Sequence, residues 1–132
     1  MEQINCPCES GKTLSGCCGR WLSGKQRAPT AEALMRSRYT AYVLKQVDYL
    51  VQTTLPASRE PDLAESIREW IGQVTWQKLH VLHAEAGGPS DIQGTVEFIA
   101  EFIGPRGADR HHERSLFKKV RGIWFYITAI ET

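Results

Sequence analysis

Four cysteines lie inside thirteen residues: Cys6-Pro7-Cys8, eight intervening residues, then Cys17-Cys18. They are all the cysteines of the chain. Thiolates this close in sequence can enter one coordination sphere, because zinc–sulfur bonds of ~2.3 Å demand that ligands converge. Cys6 and Cys8 do so across a tight knuckle at Pro7, and the loop from Glu9 to Gly16 returns the chain to supply Cys17 and Cys18. Gly11 and Gly16 relieve that loop, Ser10 and Ser15 can hydrogen-bond it locally, and Lys12 offsets part of the charge of a tetrathiolate. The expected occupant is zinc in a closed site, structural rather than catalytic, since four sulfur ligands leave no position for water. Two disulfides are the competing chemistry. They need an oxidising compartment, and adjacent cysteines suit two compact bridges poorly. Iron–sulfur ligation is a further alternative, without its familiar spacings.

The rest of the chain must position this cluster. At 132 residues the sequence has the length of one ordinary domain with a small appendage. Hydrophobic residues at 42% and charged residues at 23% exclude a disordered chain. No apolar run approaches the roughly 18 residues of a membrane span. The N-terminus reads as lacking a secretory leader, so the expected location is cytoplasmic. Formal net charge is +1; four thiolates and a dication together shift it by −2, to −1. Neither value argues for nucleic acid as an obligate partner, which would need the basic residues joined into one surface stripe.

Gly19 to Pro29 reads as a connector. Arg20, Lys25 and Arg27 make it basic, while Trp21 and Leu22 are its large apolar residues. Trp21 is expected to pin the cysteine module to the main domain, with a partner contact through Arg20, Trp21, Lys25 and Arg27 as the alternative. Thr30 can cap a helix from Ala31. Met35, Tyr39, Tyr42, Val43 and Leu50 recur at helical spacing, with a break near Gln46 to Asp48. A further helix is expected over residues 61–72, facing Leu63, Ile67, Trp70 and Ile71 inward. Period-two segments follow at 75–86, 95–103, 111–120 and 124–130. On the first, Leu79, Val81 and His83 share a face opposite Trp76, Lys78, His80 and Leu82. Helices first and strands later argue for an α+β fold, with helices on the concave side of a curved antiparallel sheet. Residues 1–24 form the expected zinc-binding module and connector, and residues 25–132 the α+β domain.

The pattern Cys-x-Cys, eight residues, Cys-Cys, with Ser10-Gly11-Lys12, resembles the SEC-C motif, a short zinc-binding module used for partner contacts. Glu9 stands where that motif usually has Gly, and Ser15-Gly16 where it often has a basic pair. Leu34-Met35-Arg36-Ser37-Arg38-Tyr39, Ala41-Tyr42, Asp48-Tyr49-Leu50, Glu113-Arg114-Ser115, Phe117, Trp124 and Tyr126 resemble the YchJ family of bacterial proteins. The likeness covers nearly the whole chain. It implies a cone-shaped nuclear transport factor 2-like domain. Close relatives often carry a second cysteine motif at the C-terminus, which this sequence does not show.

A cone of that kind implies a pocket between sheet and helices, apolar with a few placed polar groups. The residues expected there are Arg38, His83, Glu113, Ser115, Trp124 and Tyr126, with Arg38 or Arg36 paired to Glu113. Trp70 and Trp76 are core or cavity residues, His83 a structural group or general base, and His111-His112 solvent-facing. Two function classes follow. One is a zinc-binding accessory or protein-interaction protein. The other is a small-molecule-binding protein or enzyme using the pocket. The first is preferred, because no activated nucleophile or acid–base pair stands out.

Overall fold

The computed structural model describes residues 4–130. A short helix α1 (Gly19–Leu22) leads to α2 (Ala31–Val43), α3 (Val47–Gln52), a 3-10 turn at Pro56–Ser58 and α4 (Leu63–Gln73). Four strands follow: β1 (Thr75–Ala86), β2 (Gln93–Gly104), β3 (Gly107–Val120) and β4 (Ile123–Ile130). Among the described residues, no helix is long and apolar enough to cross a membrane.

Helix α2 starts where Thr30, in extended conformation, accepts a hydrogen bond from Ala33 N at 3.0 Å. That bond satisfies one of the orphan donors of the first turn. The helix stops where Lys45 turns left-handed at φ 61° and Gln46 N donates to Ala41 O at 2.8 Å, a bond of the kind that closes helix C-termini. The chain then resumes as α3, at the break expected near Gln46. Helix α4 buries Ile67 and Ile71, one turn apart, and packs them with Ala41 and Leu50.

The strands form one antiparallel sheet in the order β1-β2-β3-β4. The cone expected above does not form. The sheet is open and not strongly curled: among the described residues β1 and β4 remain its two outer strands and do not pair with each other. Each outer edge is met locally by another segment. Leu55 N donates to Tyr126 O at 2.9 Å and Tyr126 N to Thr53 O at 2.8 Å along β4, while a side chain of the cysteine loop reaches β1. Such covering blunts edges that would otherwise template pairing with another chain.

Two irregularities in β1 change its faces. The register skips Gln77 and again Leu82. Each bulge inserts one residue and resets the alternation. Trp76, Leu79 and Val81 therefore oppose Phe102, Ala100 and Phe98 on the covered face, whereas Lys78, His80 and His83 lie with Glu101, Ile99 and Glu97 on the other. His83 is exposed. The expectation that it faces the interior is overturned by the bulge at Leu82.

Helix α2 contacts β1, β2 and β4. The main core joins Leu34, Met35 and Tyr39 of α2 to Leu79, Val96 and Phe117 of the sheet, and it includes the four cysteines and Trp21. At one end the β1–β2 connection lies against the start of α2: Ala31 N donates to Gly87 O at 2.9 Å. A Cβ on Gly94 would fall 2.4 Å from Gly87 Cα, so the close approach requires glycine there.

Candidate functional site

A two-rung hairpin sets the first pair of cysteines. Cys6 N donates to Lys12 O at 2.9 Å and Leu14 N to Ile4 O at 2.8 Å. The second pair enters α1 directly, with Cys17 N and Gly19 N both donating to Leu14 O, at 3.1 and 2.8 Å. The result is four buried sulfurs within 4.8 Å of one another, Cys8 Sγ and Cys17 Sγ being 3.6 Å apart. Tetrahedral coordination with bonds of ~2.3 Å separates sulfurs by about 3.8 Å. The donor set therefore fits one metal ion held by Cys6, Cys8, Cys17 and Cys18.

Electrostatics agree with that fit. Hydrogen bonds from Cys18 and Cys8 hold the Cys6 thiol far below its usual value, while the same contacts to Cys6 and Cys8, then burial, push Cys18 far above it. Four adjacent sulfurs cannot all ionise without a counter-charge, which a cation supplies.

Neighbouring groups orient the cluster. Ser10 Oγ donates to Cys17 Sγ at 3.2 Å, and Thr40 Oγ1 lies 3.7 Å from Cys6 Sγ. Arg36 of α2 bonds Glu32 at 3.0 Å and donates to Cys8 O at 2.7 Å. Glu9 adopts φ 63°, left-handed backbone at the position where the motif usually carries Gly. Its Oε2 accepts the Leu79 N–H of β1 at 3.1 Å. The replacement thus exchanges backbone freedom for a bond that ties the loop to the sheet edge. Ser10 was legible as a hydrogen-bonding residue of the loop, whereas Thr40 and Arg36 had no signal as metal-site supports, because their approach depends on how α2 crosses the loop.

The connector residues separate into two kinds. Trp21 is buried at 8% exposure within the core that includes the cysteines. Arg20 stacks over its ring at 4.4 Å and donates to Cys17 O at 3.1 Å. Lys25 and Arg27 are exposed. Trp21, Leu22 and Arg27 line a groove of about 610 Å³ with Tyr49, Arg59 and Trp124. Trp124 thus belongs to this groove rather than to the expected pocket, and its Nε1 donates to Pro29 O at 3.1 Å.

A second cavity, of about 280 Å³, lies between α2, α4 and the covered face of the sheet. Arg38, Glu113, Ser115 and Tyr126 converge there, and His83 does not. Among the described residues no ion pair joins either Arg38 or Arg36 to Glu113. Tyr126 stands between the two charges instead: Arg38 lies over its ring at 4.4 Å and its hydroxyl donates to Glu113 at 3.0 Å. Glu113 also accepts from Ser115 Oγ at 2.6 Å and bonds His111 Nε2 at 2.8 Å. Burial works to raise the Glu113 carboxyl, but the bonds from His111, Ser115 and Tyr126 outweigh it and hold it below the usual range. Bonding to Glu113 raises His111. His111 is half exposed, as expected, yet reaches the cavity because its strand alternation places it on Glu113's face.

A Cys-x-Cys and Cys-Cys cluster docked on a helix-covered four-stranded sheet defines a class that solved structures share. The chain is similar to a SEC-C motif containing protein from Rhodopseudomonas palustris, with a TM-score of 0.87, 43% identity and 98% and 99% of the two chains covered. It is also similar to a SEC-C motif containing protein from Psychrobacter arcticus, with a TM-score of 0.76, 31% identity and 96% and 83% covered. Residues 30–129 match the family model described as YchJ, middle NTF2-like domain, and the chain belongs to the YchJ family. Its relatives include UPF0225 proteins of Geobacter sulfurreducens, 41% identical over 121 residues, and Haemophilus influenzae, 41% identical over 123 residues. These alignments cover 92% and 93% of this chain and 75% of each relative.

Proposed function

We propose that the chain is a zinc-stapled protein-interaction module, whose connector groove receives an acidic peptide segment of a partner. The observation that carries this reading is the closed set of four buried sulfurs within 4.8 Å of one another. When bound, zinc supplies a crosslink with no coordination position left for water. Cys6, Cys8, Cys17 and Cys18 hold it. Cys17 and Cys18 lead straight into α1, so the ligands anchor the connector, and Trp21 then forms one wall of the groove. Arg27 and Arg59 lie along that groove, and among the described residues no Asp or Glu lines it. Complementary charge favours an acidic partner segment. A reducing cytoplasm suits such a protein, because the ligands must remain thiolates.

Native mass spectrometry with metal analysis tests the first link. One zinc per chain is expected, and none in Cys17→Ser. Chelation should release the N-terminal segment to limited proteolysis. The second link is tested with a labelled Asp- and Glu-rich hexapeptide bearing one aromatic residue. Arg27→Glu with Arg59→Glu should weaken its binding about tenfold or more. A metal-free wild type, an N-terminus that stays protected after chelation, or binding indifferent to charge reversal would overturn the reading.

A further inference from the structure

The cavity between α2, α4 and the sheet is separate from the cysteine cluster and from the connector groove. Its most unusual lining residue is Arg38, which is only 9% exposed. No carboxylate oxygen lies within 4.0 Å of its guanidinium among the described residues. All its side-chain hydrogen bonds leave from Nη1, to Leu50 O at 2.9 Å, Thr53 Oγ1 at 2.7 Å and Thr54 Oγ1 at 3.3 Å. These bonds hold the side chain in place but use one corner of it. A guanidinium carries five N–H donors in a fixed fork. Its Nε and Nη2, the edge that grips a carboxylate with two parallel bonds, have no protein partner among the described residues.

Glu113 favours the Arg38 charge through space but makes no direct bond to it. Its hydrogen bonds with His111, Ser115 and Tyr126 compensate its charge locally, and Tyr126 separates it from Arg38. Burial correspondingly depresses the Arg38 pKa. A buried cation without a directly bonded counter-ion is costly, and an ordered side chain with an open donor edge beside a cavity is prepared for an acceptor. Around it the walls are aromatic and aliphatic. Trp70 and Trp76 meet edge to face with centroids 6.1 Å apart, and Phe98 and Met35 complete that side. A volume of about 280 Å³ is at the small end for ligand cavities, which limits the occupant to one or two rings. Ionised Glu113 on the same lining disfavours a dianion such as a phosphate monoester.

We propose that this cavity binds a small aromatic carboxylate. The carboxylate takes the Nε–Nη2 edge of Arg38, and the ring lies among Trp70, Trp76 and Phe98. The site does not depend on the metal or on the peptide groove, so its failure leaves the interaction reading intact.

The test uses the full metal-loaded chain with two probes, indole-3-carboxylate and its neutral isostere indole-3-carboxamide. Binding is followed by tryptophan fluorescence and by the NMR resonance of the Arg38 Nε–H. The carboxylate should bind about tenfold tighter than the amide or better, as a charge-assisted bidentate contact requires, and should shift the Arg38 resonance. Arg38→Gln should erase that preference. Ala100→Leu, which fills the cavity from β2 and leaves the Arg38 bonds untouched, should abolish binding of both probes. Equal affinity for acid and amide, no saturable binding of either up to about 10 mM, or binding unaffected by Ala100→Leu would each overturn the proposal. The comparison of the two probes on wild type decides the matter even where Arg38→Gln fails to fold.

Discussion

Replacing Glu9 separates two opposing contributions at the junction between the cysteine loop and the sheet. Its backbone is left-handed at φ 63°, which costs a non-glycine residue about 1–2 kcal/mol. Its carboxylate accepts the Leu79 N–H at 3.1 Å. Hydrogen bonds to charged groups contribute about 1.5–3 kcal/mol when shielded. Glu9 is exposed, so solvent screening reduces this one to about 1 kcal/mol. Glu9→Ala keeps the strain and loses the bond, and should destabilise by about 1 kcal/mol. Glu9→Gly loses the same bond but releases the strain, less about 0.4–1 kcal/mol of added unfolded-chain entropy. It should lie within about 1 kcal/mol of wild type and above the Ala variant. Thermal unfolding of the metal-loaded chain resolves the difference, since about 1 kcal/mol moves the midpoint by roughly 3–5 °C in a domain of this size. Metal content is checked in each variant, because Glu9 adjoins Cys8. Equal midpoints for Ala and Gly would refute the strain, and two midpoints at wild type would refute the Leu79 bond.

The Glu113 cluster should make stability depend on pH from both sides. The folded carboxyl lies below its unfolded value, so its contribution is present above about pH 4.3 and is lost as pH falls through the folded pKa. His111 lies above its unfolded value, so its contribution is complete below about pH 6.5 and is lost as pH rises through the folded pKa. Urea unfolding should therefore show the cluster strongest between those limits, and Glu113→Gln should flatten both limbs; an unchanged profile would refute the assignment. Gly94→Ala should cost about 2–3 kcal/mol, because the new Cβ meets Gly87 backbone at 2.4 Å and forces backbone to shift. An unaltered urea midpoint would show that the β1–β2 connection gives way.

Much of the fold was legible because local signals agreed with one another. Thr30 capped α2, the chain broke near Gln46, and Ile67 and Ile71 faced inward as their spacing implied. Strands β2 and β3 kept strict alternation, which put Glu113, Ser115 and Phe117 on one face. Reading failed at β1, where a pattern of period two cannot report an inserted residue. The bulges at Gln77 and Leu82 moved Trp76 inward and His83 outward. The cone failed for a related reason: alternation specifies which side of a strand is buried, whereas closure depends on whether the outer strands meet.

The cysteine cluster was legible in type and spacing, and the convergence of its four sulfurs follows from local turns within residues 4–19. Its supports were not, since Thr40, Arg36 and Leu79 approach only once α2 and β1 have packed beside the loop. The same holds for Arg38. Sequence placed it in the expected pocket and paired either Arg38 or Arg36 with Glu113. Tertiary structure interposed Tyr126 and left one guanidinium edge without a partner among the described residues, on a residue that lines a cavity. Local spacing determined which atoms could share one metal, because bonded geometry limits how far thirteen residues can spread. Which buried charges meet was decided by long-range packing, because a single intervening ring is enough to keep them apart.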